Sequence, residues 1–390
     1  MTASPTASPR LFEPLSLRST TLNNRIVISP MDQYSAVDGV PNTYHLVHYG
    51  KFAMGGAGAV CVEATGVSEA GRITNGCPGL YTQAQVDAFR PLTDFIRQQR
   101  SVPAVQIGHG GRKASTTRPW EGGGPVGAAE VAKGDRAWTP YGPSDLPLSD
   151  GWLTPKMMDD ADLARTRQDF ADAAKRAIEA GFEIVEIHMA HGYLLQTFLS
   201  PLSNTRNDGY GGDIQGRMRF PLEVTEAVRA ALPDDKPLFV RISSVDGIDG
   251  GWEMEDSVTL AHELKARGVD VIDCSSGGNS PKGATNANLK RGPGYQVPFA
   301  EHIKKEVGIQ TMAVGLIREP DFAEQVLQEG RADLVAIGRQ ALVDPFWALH
   351  AAQHFDIDPD FEKWPHQYAW WLEKWDKGLR AYAAEQKAAE

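Results

Sequence analysis

The chain has 390 residues, 42% of them hydrophobic, enough to bury a large core as one big α/β domain or two smaller ones. Its formal charge of −11 excludes the basic surface that nucleic-acid phosphates require, which leaves small molecules and proteins as partners. No apolar run approaches the roughly 20 residues of a membrane span. The leading MTASPTASPR lacks a basic-then-apolar secretory pattern, and Cys61, Cys77 and Cys274 form neither a CxxC pair nor an even framework; the expected setting is a reducing cytoplasm, without a metal site.

Residues 1–10 read as a flexible leader, and a cap precedes the first strand. Short apolar runs then recur: RIVIS (25–29), AVCVEA (59–64), AVQIGH (104–109), FEIVEIHMAH (182–191), PLFVRISS (237–244), VDVIDCSS (269–276), IQTMAVG (309–315) and DLVAIG (333–338). Their near-continuous apolar character suits parallel strands buried on both faces. Between them, segments such as 159–181 and 319–330 carry 3.6-residue periodicity and end in glycine, as helices do. Eight such units without a linker predict an α/β protein, a (β/α)8 TIM barrel over 11–355, with a doubly wound open sheet as the competing arrangement. Residues 114–157, rich in Gly, Pro and Trp, are too long for an ordinary connection after strand three. They read as an active-site lid, with a disordered insertion as the alternative. Residues 356–390 form a Trp-rich tail.

Barrel chemistry gathers at the C-terminal strand ends. In strand order these carry Asp32 and Tyr34, Glu63 and Ala64, Gln106 and His109, His188 with His191 and Tyr193, Arg241 and Ser243, Ser275 and Ser276, Gly315, and Gly338 with Arg339. The loops after strands seven and eight are the usual phosphate cradle of this fold, and Gly315, Gly338 and Arg339 fit one. The bland alternative is tight turns and a solvated arginine. Arg241 in an apolar strand calls for an anion, either a ligand's or that of Glu63 or Glu186. His188, His191 and Tyr193 leave one strand end within six residues, without the HExxH or CxxC pattern of a zinc site. They suit hydrogen bonding to a carbonyl or oxyanion and delivery of a proton. Asp32, taken alone, equally fits a helix N-cap.

The stretches SPMDQYSA, VEATGVSEAGRIT, VQIGHGGRKAS, HMAHGYLLQTFLSPLSNTRNDGYGG, LFVRISS, DCSS and IGRQALVDPFW together resemble the old yellow enzyme family of FMN-dependent ene-reductases. The likeness spans about residues 11 to 375 and is strongest to the xenobiotic reductase, or thermophilic-like, branch. It implies tightly bound FMN, reduced by NADPH or NADH. Ser29, Pro30, Met31 and Asp32 would line the flavin, Ala64 and Gln106 touch its ring, Arg241 meet its N1/O2 edge, and Gly315, Gly338 and Arg339 hold its phosphate. His188 and His191 would hold the carbonyl of an enone or enal, Tyr193 protonate its α-carbon, and Tyr34 line the substrate face. The branch also implies a homodimer or homotetramer, with Trp371 reaching into a neighbouring subunit. An amphipathic helix packed on its own barrel is the alternative for that tail.

The branch usually has cysteine where this chain has Asp32. A carboxylate there would lower the flavin potential, or burial would keep it protonated as a hydrogen-bond donor. Three other functions stay open: an aldolase or isomerase using Lys113 as a Schiff base, an FMN barrel of low ene-reductase activity, and a desaturase or demethylase.

Overall fold

The computed structural model describes residues 8–281 and 289–389. Residues 1–7 of the expected leader lie outside the described residues. A hairpin, β1 (Leu15–Leu17) and β2 (Thr20–Leu22), precedes β3 (Ile26–Ile28), β4 (Ala59–Gly66) and β5 (Val102–Gly108). A small ladder, β6 (Tyr141–Gly142) and β7 (Lys156–Met157), is followed by β8 (Ile184–Met189), β9 (Leu238–Ser243), β10 (Val271–Ser275), β11 (Gln310–Ala313) and β12 (Leu334–Ile337).

β3, β4, β5 and β8 to β12 close into one parallel barrel, with β12 pairing back onto β3 through Ala336 and Val27. The eight apolar runs are therefore its eight strands, and closure rules out the open sheet. Every residue of β4 and β5 is buried, as a strand walled by helices on one side and a filled barrel on the other must be. Leu17 and Leu22 of the hairpin join Val27, Ala59, Phe239 and Met312 in a cluster that caps one end of the barrel. The opposite, C-terminal mouth is left for chemistry.

The helix Asp160–Glu179 shows how local sequence fixes the outer layer. Asp159 caps it by accepting from Asp162 N at 2.9 Å, and the chain turns away at Gly181, whose φ of +93° suits glycine. Leu163, Phe170, Ala173, Ala174 and Ala177 fall on one face and are buried. Truncating the fully buried Phe170 to alanine is expected to cost about 3–5 kcal/mol, checked by chemical denaturation.

Residues 114–157 are tied to the barrel rather than loose. Thr116 N donates to Ile73 O at 3.0 Å, Arg118 Nε to Tyr34 O at 2.9 Å, and Trp138 Nε1 to Ala70 O at 3.0 Å. At the other end, Trp364 stacks on Phe346 at 5.5 Å, and the helix His366–Ala389 leaves Trp370, Trp371 and Trp375 exposed. Among the described residues, no helix is long and apolar enough to cross a membrane.

Candidate active site

A cavity of about 460 Å³ opens at the C-terminal strand ends. Ser29, Pro30 and Met31 enter it after β3, His191 after β8, Arg241 from β9, Ser275 from β10, Gly315 after β11, and Gly338 with Arg339 after β12. Nine of the sequence-predicted positions thus share one wall. Gly315 has φ +120°, and a Cβ there would come within 3.2 Å of Gln296 and Tyr295, so its backbone requires glycine. Gly338 differs: the nearest atoms to a Cβ would be Met31 Sδ and Ser29 Cβ at 4.0 Å. Protein packing does not demand that glycine, and a side chain would instead occupy the cradle. Arg318, which the sequence reading passed over, joins Arg339 at this end. Its signal was the GLIR run directly after Gly315.

Beneath the cavity lies a buried polar layer. Arg241 Nη1 donates to Ser29 Oγ at 3.2 Å, and its Nε lies 3.1 Å from Asp273 Oδ2 at an angle too poor for a hydrogen bond. The ion-pair partner is Asp273, not the expected Glu63 or Glu186, because Asp273 and Arg241 are paired positions of adjacent parallel strands. Gln106 Nε2 donates to Glu186 Oε1 at 2.8 Å. Burial, reinforced by Asp273, pushes the Glu186 carboxyl up to about 8, and burial raises Asp273 against the pull of Arg241.

The rim carries the proposed chemistry. His188 ends β8 fully packed, with Nδ1 lacking any partner. The chain then turns through His191 at φ +61°, a left-handed conformation that histidine tolerates better than most residues. Its Nε2 hydrogen-bonds Ser275 Oγ at 2.7 Å, and its N–H donates to Ser243 Oγ at 3.0 Å. Burial, then the positive field of Arg241, holds both imidazoles well below their usual pKa, so they are neutral. The rings of His188 and Tyr193 lie 4.9 Å apart, and those of His188 and His191 5.1 Å apart. Burial, then the nearby Asp32, pushes the Tyr193 phenol well above its usual pKa.

Asp32 is no helix cap: the next helix, Thr43–Met54, is capped by Asn42. Its Oδ1 accepts from Ala64 N at 3.2 Å and its Oδ2 from the Tyr34 hydroxyl at 3.1 Å. Burial pushes its pKa up to about 6, against these two hydrogen bonds and Arg241. Tyr34 itself sits at φ +49°, unusual for an aromatic residue. Glu63 holds that turn, its Oε2 accepting from Gln33 N at 2.7 Å and Tyr34 N at 3.1 Å.

Tyr34, Lys113 and Tyr193 line a second cavity of about 340 Å³. Thr116, Thr117, Pro119, Gly123, Leu148 and Trp152 of the 114–157 segment complete it, residues that no motif had singled out. Ala64 lies with His188 and Tyr193 in a narrow recess between strands. Lys113 Nζ is engaged by two carbonyls, donating to His191 O at 2.7 Å and to Gly278 O, which argues against a free Schiff-base amine. Trp371 stands apart, packed on Trp370 at 4.5 Å and lining none of these cavities.

Comparisons with known proteins bear on the family and the fold. The model of the NADH:flavin oxidoreductase / NADH oxidase family matches residues 10–358. An NADPH dehydrogenase of Bacillus subtilis is 40% identical over 351 residues, 90% of this chain and 96% of that protein. The structure of morphinone reductase superposes with a TM-score of 0.73 at 26% identity, over 90% of this chain and 91% of that one. A 2-naphthoyl-CoA reductase complex reaches 0.78 at 25% identity over 88% of this chain, which spans only 52% of that longer chain. The chain belongs to the NADH:flavin oxidoreductase / NADH oxidase family, and is an FMN-dependent, NAD(P)H-linked oxidoreductase of the old yellow enzyme type.

Proposed function

We propose that the protein reduces the activated C=C bond of α,β-unsaturated carbonyl compounds. The observation that carries this reading is the grouping of two neutral histidines and a protonated tyrosine beside the cavity that suits the cofactor. The fit to FMN rests on that cavity's two ends. The glycine cradle at Gly338 and the arginines Arg318 and Arg339 suit a phosphate, with Gly315 shaping the wall. Arg241, whose Nε is not hydrogen-bonded among the described residues, suits the electron-rich edge of the ring system, and Ser29, Pro30 and Met31 suit its faces. Asp32, Ala64 and Gln106 do not line this cavity, and their contact with the ring rests on the family resemblance.

FMN, when bound, would supply the hydride chemistry, with NADPH or NADH as the reductant. The residues of the chain do the rest. His188 and His191, being neutral, each present an N–H to the substrate's carbonyl oxygen without surrendering a proton to it. Charge growing on that oxygen is met by donors already in place. Tyr193 gives its hydroxyl proton to the α-carbon. Tyr34, Leu148 and Trp152 bound the substrate's space and limit the access of water. The raised pKa of Tyr193 keeps its phenol protonated near neutral pH, so the proton the reduction needs is in place.

Asp32 adjusts the cofactor. Above pH about 6 its carboxylate opposes negative charge on the reduced flavin; below it, the neutral carboxyl does not. At roughly 1–2 kcal/mol, or about 20–40 mV for a two-electron couple, Asp32→Asn should raise the midpoint potential at pH 8 and leave it unchanged at pH 5. Spectroelectrochemical titration at the two values checks this. The exposed Trp370, Trp371 and Trp375 support a homodimer or homotetramer in which Trp371 enters a neighbouring copy's substrate space.

The experiment that tests the function uses the purified holoenzyme without oxygen. NADPH should bleach the yellow flavin, and 2-cyclohexenone should restore the colour. A protein that bleaches and is never reoxidised by enones is not an ene-reductase.

A further inference from the structure

Each reduction that uses the Tyr193 proton leaves a phenolate on a half-buried side chain, and the next turnover needs that proton back. Its neighbours narrow the sources. His188 and His191 are neutral, and Lys113 Nζ, whose pKa burial lowers to about 7, lies over the face of the Tyr193 ring at 5.6 Å from its centroid with two of its three N–H groups given to the carbonyls of His191 and Gly278. On the remaining side Tyr193 packs against the cluster that contains Tyr34, and the two tyrosines line the same cavity. Behind Tyr34, 3.1 Å from its hydroxyl oxygen, is Asp32 Oδ2.

We propose that Asp32, Tyr34 and Tyr193 form a proton relay, in which the Asp32 carboxyl restores the proton of Tyr193 after each turnover. This rests on the ene-reduction reading above. Protons balance at every step, and no electrons move. The Tyr193 O–H bond breaks as the α-carbon C–H bond forms; the Tyr193 phenolate takes the Tyr34 hydroxyl proton; Tyr34 takes the carboxyl proton of Asp32. Half-buried Asp32 then regains a proton from solvent. In the structure Tyr34 donates to Asp32, so protonation of the carboxyl reverses both hydroxyl rotors.

The surroundings of Asp32 suit a proton store. Glu63 from β4, Tyr49 from the helix Thr43–Met54, Cys77, Tyr193 and Arg241 from β9 are the titratable or charged groups that interact with it, besides Tyr34 of its own turn. Arg241 is the one cation acting on it among the described residues, and burial outweighs that pull, so the carboxyl gains and loses its proton at pH about 6. The Glu63 clamp on Gln33 N and Tyr34 N keeps the Tyr34 ring between acid and acceptor.

The test measures steady-state turnover of the holoenzyme with saturating NADPH and 2-cyclohexenone from pH 5 to 9, with Asp32→Asn and Tyr34→Phe. The second readout is the infrared C=O stretch of protonated Asp32 in the oxidised protein, obtained as wild type minus Asp32→Asn. The relay predicts a wild-type rate that falls as pH rises through the Asp32 titration. Both variants should be about 10-fold slower or more at pH 7, without that inflection. The carboxyl band should titrate over the same range and shift in Tyr34→Phe, which breaks the link but keeps the carboxyl. An unaltered profile in Tyr34→Phe, or no titrating carboxyl band, overturns the relay alone. Wild-type flavin that bleaches but is not reoxidised by the enone at any pH overturns the ene-reduction reading, and the relay with it.

Discussion

Replacing His188 and His191 together with alanine is expected to slow 2-cyclohexenone reduction by about 100-fold or more, roughly 3 kcal/mol, while NADPH still bleaches the flavin. The size follows from where the two donors sit. His188 is buried with Nδ1 unpaired, and His191 is fixed by Ser275 and Ser243, so neither ring must reorganise to meet a growing oxyanion. In such an enclosed place a hydrogen bond to developing charge is worth more than in water. Both rings stay neutral because of burial and Arg241, so their contribution should not change between pH 6 and 8. His191→Asn is the informative single variant. Asparagine tolerates the left-handed turn at φ +61° and carries an N–H donor, so it should retain more activity than His191→Ala. Stopped-flow reoxidation of the reduced enzyme separates these effects from the NADPH step.

Tyr193→Phe is expected to lower kcat by about 100-fold to 10,000-fold, the usual range for loss of a positioned acid, with a smaller change in KM. The phenylalanine keeps the ring packing against His188 at 4.9 Å and removes only the hydroxyl. Lys113 is poorly placed to take over, since Nζ lies over the face of the ring, 5.6 Å from its centroid, with two of its three N–H groups given to carbonyls. A substrate whose product anion is acidic enough to be protonated by water, such as a nitroalkene, should suffer least. Steady-state rates with an enone and a nitroalkene check this difference.

The barrel is legible in the sequence because parallel strands buried on both sides leave continuous apolar runs, and AVCVEA and DLVAIG have no other comfortable place. Their C-terminal ends then single out Arg241, His188, Gly315 and Gly338 without further information. What the sequence leaves hidden depends on register or on irregular chain. That Arg241 meets Asp273, and not Glu63 or Glu186, follows from the pairing of β9 with β10, which no local pattern encodes. Leu148 and Trp152 roof the substrate cavity from a segment without periodicity, so composition could mark the segment but not its residues. Asp32 is an intermediate case. Its position at a strand exit was readable, whereas its bond to Tyr34 depends on the left-handed turn that Glu63 clamps from the next strand. In the tail, an apolar helix face does not say what covers it: Trp364 packs on its own chain's Phe346, and Trp371 does not.

The central claim is that hydride and proton reach the substrate from different places, the cofactor and Tyr193. Isotopic labelling tests this most directly. Reduction of 2-cyclohexenone in D2O with unlabelled NADPH should place one deuterium on the α-carbon and none on the β-carbon. With NADPH deuterated at its transferred position, in H2O, the label should appear on the β-carbon alone. Solvent deuterium on the β-carbon, or nicotinamide deuterium on the α-carbon, would contradict the account.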